Sequence, residues 1–183
     1  MLREDMNEQE YTSICSVGYP IRGPRGQEEI HLGEKAPTPK AIKRCINGKL
    51  IGYGGDFEPG IDGDIIDCFL REFAQESGDE TSHLSAHRKD VEEVARILIK
   101  NTVRPGILLH YLFIRNCRGV AISTREILNP GWYPARPLPD NILEADKLIL
   151  PRVIQGERLR GWILYDENMK VIGHELASVE SLA

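Results

Sequence analysis

The chain has 183 residues, 41% hydrophobic and 28% charged, with 23 Lys+Arg against 28 Asp+Glu and a formal net charge of −5. Its length fits one domain with a real core. The acidic balance argues against a duplex nucleic-acid partner, which needs clustered positive charge, and no apolar run is long enough for a transmembrane helix.

In chain order, Met1 to Glu10 is acidic and polar and reads as a flexible tail, with one domain over 11–183. The tail has no apolar signal stretch, so the cytoplasm is the expected compartment. Tyr11 to Ile21 is rich in β-formers and predicts a strand. Arg22-Gly-Pro-Arg-Gly26 is a turn, Ile30 to Lys35 a returning strand, and Ala36 to Asn47, with Lys40, Lys43 and Arg44, an exposed basic loop. Lys49 to Tyr53 predicts a short strand closed by Gly54-Gly55.

Asp64 to Ser77 is the clearest helix: Ile66, Phe69, Leu70 and Phe73 form one apolar stripe. Asp64 is placed to cap it and Gly78 to end it at C′. Asp90 to Lys100 fits either helix or strand. Ile107 to Arg115 is an apolar strand, and the turn Arg104-Pro-Gly106 pairs it with the segment before. Asn129 to Pro134 is a turn carrying Trp132 and Tyr133. Asn141 to Val153 predicts a helix, with Pro151 as a bend or early stop. Arg160 to Tyr165 and Val171 to Val179 form a closing hairpin. Alternation of strands and helices places the chain in a mixed α/β (α+β) class.

The four cysteines, Cys15, Cys45, Cys68 and Cys117, show no C-x-x-C spacing and read as reduced core thiols. His83 and His87 are four apart, but Ser85 and Ala86 add nothing to a metal motif, and the segment reads as solvated polar chain.

Chemistry concentrates in residues 54–78, a glycine-rich loop feeding an acidic helix. Glu72 and Glu76, four apart, project from one helix face, nearly opposite the apolar stripe. Two hard oxygen donors at that spacing can hold Mg2+ or Mn2+ that also contacts phosphate. Arg71 can orient a carboxylate by a charge-assisted hydrogen bond. Without further support, the same two glutamates also fit the solvated side of an amphipathic helix.

Arg71-Glu72-Phe73-Ala74-Gln75-Glu76-Ser77-Gly78 resembles the second half of the Nudix hydrolase signature, G-x5-E-x7-R-E-U-x-E-E-x-G-U with U aliphatic. Gly54-Gly55 and Glu58-Pro59-Gly60 resemble the loop that precedes it. In outline, residues 11–176 resemble the oxidised-purine nucleoside triphosphate hydrolases of that family, through Gly48 to Gly55, Trp132-Tyr133, Asp146 with Pro151, and the last hairpin. The departures are specific. Ile61 stands where the signature has its first glutamate, with Asp62 and Asp64 as the nearby carboxylates. Gln75 stands for one of the paired glutamates, and an amide carries no charge and is no base near neutral pH. Ile51 replaces a base-pairing Asn and Ala145 one of two aspartates, so oxidised-purine specificity does not carry over.

The resemblance implies a mixed β-sheet sandwiched between helices. It also implies a divalent-metal-dependent hydrolase of phosphoanhydrides in nucleoside triphosphates or diphosphate-linked nucleosides. Arg71, Glu72, Glu76 and Glu126 are the expected catalytic residues. Gly55, Glu72 and Glu76 would hold Mg2+ or Mn2+, while Gly54, Gly55 and Asp146 would meet a small nucleotide substrate. Glu126 or Asp62 would be the base, Trp132, Tyr133 and Trp162 could stack on a nucleobase, and Lys35, Lys40, Lys43 and Arg44 could steer phosphates. The rival is a catalytically impaired domain of this type that binds a nucleotide or a protein partner. A third reading, an unrelated α/β protein, requires the acidic helix to pack away from the glycine loop. Oligomeric state is left open.

Overall fold

The computed structural model describes residues 11–182; the tail expected over residues 1–10 lies outside them. The strands are β1 (Ser13–Arg22), β2 (Glu29–Lys35), β3 (Leu50–Ile51), β4 (Leu84–Ser85), β5 (Val91–Asn101), β6 (Ile107–Ile114), β7 (Arg118–Gly119), β8 (Ile127–Pro134), β9 (Leu159–Tyr165) and β10 (Val171–Ser178). The helices are α1 (Pro39–Lys43), α2 (Ile65–Ser77) and α3 (Glu144–Ile154). The main sheet runs β10-β9-β5-β6-β1-β2-β3, with β8 on β2, and β4 and β7 pair separately. It is mixed: β1 with β6 and β5 with β9 are parallel, while β5 with β6 and β9 with β10 are antiparallel.

Helices cover both faces. Phe69 and Phe73 of α2 pack with Tyr53, Leu84, Val91, Leu112, Ile114 and Ile127. On the other face, Ala145, Ile149, Leu150 and Val153 of α3 pack against Val94, Ile97, Leu159 and Ile163 of β5 and β9. This is the expected layered architecture of a sheet between helices, and each helix turns its apolar stripe to the sheet.

The α2 prediction holds closely. The Asp64 carboxylate accepts the Ile66 and Asp67 N–H groups, capping the helix as expected. Gly78 ends it, but with extended backbone rather than the left-handed C′ geometry. Glycine suits the position because a Cβ there would collide with the Ser82 carbonyl oxygen. The ambiguous segment after residue 90 is strand β5, since its apolar residues pack on both faces of a central strand.

Several expectations change. The basic loop contains α1, capped by Thr38, and buries Ala36 and Ala41. The expected Trp-Tyr turn is strand β8, antiparallel to β2, with Trp132 opposite His31. Pro151 neither ends nor displaces α3, which continues to Ile154. Of the cysteines, Cys15 and Cys68 are buried, but Cys45 is exposed and Cys117 half-buried. His83 and His87 flank the short strand β4 and share no helix face; His83 Nδ1 lies 2.8 Å from the Asp79 carbonyl oxygen.

One topological detail builds the site. β1 follows β6 from Ser13 to Pro20, but pairs with β2 only at Ile21 and Arg22. Along the intervening stretch, its other edge takes up the glycine loop. Gly18 N–H donates to Tyr53 O (2.6 Å), Ser16 N–H to Gly55 O (2.9 Å), and Phe57 N–H to Ile14 O (2.9 Å). The loop is thereby hydrogen-bonded to the sheet directly beneath α2.

Candidate active site

The acidic face of α2 does not face water. Glu76 is buried at 7% exposure, in contrast to the solvated face that the helical spacing alone suggests. Its Oε2 accepts the Gly54 N–H (2.8 Å), and its Oε1 accepts from Lys35 Nζ (3.2 Å). Glu72 lies against Gly55, where an added Cβ would come within 2.5 Å of the Glu72 carboxyl carbon. Glycine at 55 is therefore what lets the loop approach the helix. The acidic face and the glycine loop touch, which removes the unrelated-fold reading of the loop and helix.

Arg71 organises this face from behind. It grips Asp62 in a bidentate pair, Nε to Oδ1 at 2.9 Å and Nη2 to Oδ2 at 2.8 Å, and its Nη1 donates to Glu72. Asp62 Oδ2 also accepts the Glu58 N–H at 2.8 Å. Hydrogen bonding from Arg71 holds the Asp62 carboxyl down at about 2. Asp62 is thus the carboxylate of this loop that meets Arg71, whereas Ile61 beside it is 67% exposed. Asp64 is engaged elsewhere, capping α2 and pairing with Arg88. An Asp held so acidic and so tightly paired as Asp62 is unsuited to be a base near neutral pH.

Glu126 enters from the residue before β8. Its Oε2 accepts from Lys35 Nζ at 2.7 Å, so Lys35, at the end of β2, bridges Glu76 and Glu126. Burial alone would lower the Lys35 pKa, but the two carboxylates hold it above the ordinary lysine value. Burial pushes Glu76 upward, with Lys35 and the Gly54 N–H opposing.

Lys35, Glu76 and Glu126 line a cavity of about 510 Å3, which Asp62 and Arg71 do not border; its volume is within the size range of small-molecule sites. Gly54, Gly55, Glu72, Glu76, Glu126 and Asp146 all border it. Its apolar wall includes Ile51, Ile99, Leu109 and Met169, and Lys40, Arg44 and Arg104 contribute positive charge. Sequence reasoning does not single out Ile99, Leu109, Arg104 or Met169. They come from separate strands and turns, so no local motif announces them.

Asp146 is neither a surface aspartate nor a freely presented ligand. It is 2% exposed, and its two oxygens accept Tyr19 OH (2.9 Å) and Tyr111 OH (3.0 Å). Burial raises its carboxyl to about 6, against the two phenol hydrogen bonds. The aromatic expectation fails: Trp132, Tyr133 and Trp162 are not in the cavity lining. Trp132 instead packs edge-on to His31 (4.9 Å between centroids), with the Arg22 guanidinium 4.0 Å over its ring. Tyr133 packs on the α3-side core, and the Lys100 ammonium lies 5.8 Å from the Trp162 ring centroid.

No family model matches this chain, and no curated protein matches it. Solved structures do. The MutT protein of Bacillus halodurans superposes with a TM-score of 0.67 at 15% identity, covering 90% of this chain and 97% of that one. The chain has the Nudix fold. A Caenorhabditis elegans Ap4A hydrolase gives 0.51 at 15% identity, covering 76% of this chain and 93% of that one. The Nudix domain of Shewanella oneidensis NrtR, solved with ADP-ribose, gives 0.53 at 14% identity, covering 84% and 90%. Within this Nudix fold, Arg71, Glu72 and Glu76 lie on α2, and Glu76 and Glu72 meet Gly54 and Gly55 of the glycine loop.

The donor chemistry suits Mg2+ or Mn2+: Glu72, Glu76 and Glu126 offer hard anionic oxygens. The arrangement as it stands does not. Among the described residues, no three acidic, histidine or cysteine side chains gather closely enough to hold an ion. Lys35 fills the space between Glu76 and Glu126, and the Gly55 carbonyl accepts the Ser16 N–H (2.9 Å) and the Cys68 thiol (3.7 Å). No helix among the described residues is long and apolar enough to cross a membrane.

Proposed function

We propose that this protein hydrolyses a phosphoanhydride bond in a small nucleotide, a nucleoside triphosphate or a nucleoside diphosphate linked to another group. One observation supports the reading most: Glu72, Glu76, Glu126 and the Gly54-Gly55 loop, which are far apart in sequence, border one cavity of about 510 Å3. Glu72, Glu76 and Gly55 are the proposed Mg2+ or Mn2+ donors, with Gly55 the weakest because its carbonyl already accepts two hydrogen bonds.

In this proposal each side chain has a bounded role. Arg71 keeps Glu72 aimed across the glycine loop. Lys35, Lys40 and Arg44 attract the substrate phosphates. Glu126, half-exposed on the cavity and free of the Asp62–Arg71 clamp, takes the proton of the attacking water. The apolar wall takes the organic part of the substrate, with Ile51 and Ala145 offering no hydrogen bonds to a base edge. Asp146 braces that wall through Tyr19 and Tyr111. A cytoplasmic location belongs to the same proposal.

The test is a panel of nucleoside triphosphates, nucleotide sugars and dinucleotides, assayed with Mg2+ and with Mn2+ for phosphate-bearing products. Turnover above that of a Glu72→Gln, Glu76→Gln double variant is the expected result. A second reading, a domain that binds a nucleotide without cleaving it, draws support from Gln75 and from the Lys35 bridge across the carboxylates. It predicts that the same ligands raise the melting temperature with no turnover.

A further inference from the structure

A lysine lies where a metal-binding carboxylate cluster would need its cation. Lys35 Nζ is 3.2 Å from Glu76 Oε1 and 2.7 Å from Glu126 Oε2, and the lysine side chain is only 13% exposed. The other Glu76 oxygen is engaged by the Gly54 N–H at 2.8 Å. Two carboxylates, one of them buried, thus share a single internal ammonium.

We propose that Lys35 is a built-in competitor for the divalent cation: metal engages Glu76 only by expelling the Lys35 ammonium from between Glu76 and Glu126. This rests on the metal-site part of the function proposed above. The physical basis is electrostatic. A buried ionised carboxylate without a counter-charge is strongly unfavourable, so Glu76 in its charged form needs either the ammonium or a metal ion beside it. Both cannot share the same oxygens, because two cations a few ångströms apart repel in a low-dielectric site. Gln75 sharpens the competition. With an amide in place of a carboxylate, the cluster has less negative charge with which to retain a dication beside the lysine. The Lys35 side chain has somewhere to go: it borders the same cavity as Lys40 and Arg44, where released positive charge would face the substrate phosphates.

The competition has a direct consequence for the free protein. Metal affinity without nucleotide is set as much by Lys35 as by the carboxylates. A substrate polyphosphate, by attracting the ammonium, would make metal binding easier.

The experiment titrates Mn2+ alone, with no nucleotide, into the wild-type protein and Lys35→Met, following binding by calorimetry and by the loss of the free Mn2+ resonance signal. Lys35→Met is expected to bind Mn2+ at least tenfold more tightly than wild type. The added substitution Glu76→Gln should abolish that gain. A second measurement uses only the wild-type chain: reductive methylation of Lys35, read by peptide mass, should accelerate several-fold on Mn2+ saturation, with Lys40 as the internal reference. The proposal is overturned if Lys35→Met binds Mn2+ no more tightly than wild type. It is also overturned if saturating Mn2+ leaves Lys35 methylation unchanged. Neither readout requires turnover. Loss of hydrolysis with the exchange intact would count against the hydrolase reading alone, and the reverse result against this proposal alone.

Discussion

Asp62→Asn probes the clamp that positions the acidic helix. Asp62 and Arg71 form a bidentate pair with side chains 2% and 21% exposed, and Asp62 also takes the Glu58 N–H at 2.8 Å. Solvent-exposed ion pairs contribute little, ~0–1 kcal/mol, whereas removing one partner of a buried pair costs about 3–5 kcal/mol. Arg71 keeps Glu72 as a partner and the amide retains one acceptor, so the low end, about 3 kcal/mol, is expected. In a chain of this size, that lowers the melting temperature by roughly 6–12 °C. Ile61→Ala, one residue away but at a position 67% exposed, should change stability by less than about 0.5 kcal/mol. Urea denaturation of both variants at neutral pH provides the comparison. The difference between wild type and Asp62→Asn should also shrink in acid. The carboxyl is held below its ordinary value of 3.8, so its contribution is complete above that pH and disappears as pH falls through about 2. A loss below about 1 kcal/mol for Asp62→Asn, or an equal loss for Ile61→Ala, would refute the reading of Asp62 and Arg71 as a buried clamp on the acidic helix.

Other predictions follow from the same contacts. Asp146 has a carboxyl raised from 3.8 to about 6, so the folded protein holds a proton that the unfolded chain releases, and stability should fall as pH rises through that window. Asp146→Asn should remove about 3 kcal/mol of that fall, read from denaturation midpoints between pH 4 and pH 7; a pH-independent difference from wild type would contradict it. Gly55→Ala should abolish turnover by displacing Glu72 while leaving a cooperative melt, since the new methyl meets that carboxylate. Phe69→Ala, which empties a fully buried ring site stacked on Phe73 at 5.1 Å between centroids, should cost about 3–5 kcal/mol in denaturant titration. Gln75→Glu should tighten Mn2+ binding, measured by calorimetry, because a carboxylate adds charge at the cavity lining.

Local signals make some of this legible in sequence. The apolar stripe and Asp64 cap define α2 within a few residues of one another, where helix periodicity and capping agree. The turn at Arg104-Pro-Gly106 and the closing turn near Asp166 similarly reveal two hairpins. The carboxylates Glu72 and Glu76 stand out because their partner, the glycine loop, lies just upstream. What escapes sequence reading is mostly non-local. The spacing that puts Glu76 opposite the apolar stripe does not show that the glycine loop covers that face. Asp146 reads as an ordinary helix polar residue until Tyr19 and Tyr111 arrive from two strands. Lys35 reads as the edge of a solvated basic loop, yet β2 places it between carboxylates 41 and 91 residues away. Trp132 and Tyr133 read as turn aromatics because Asn129-Pro-Gly131 is a strong turn signal; pairing along β2 overrides it.

The central claim is chemical turnover at the Glu72–Glu76 cluster. Its most direct test is the initial rate of phosphoanhydride cleavage over the nucleotide panel, with saturating Mn2+, for the wild-type protein and the Glu72→Gln, Glu76→Gln double variant in parallel. At least one substrate should be cleaved by wild type, with the rate reduced to background in the double variant while its melt remains cooperative. Equal rates in the two proteins, or nucleotide binding by wild type without cleavage of any panel member, would contradict it.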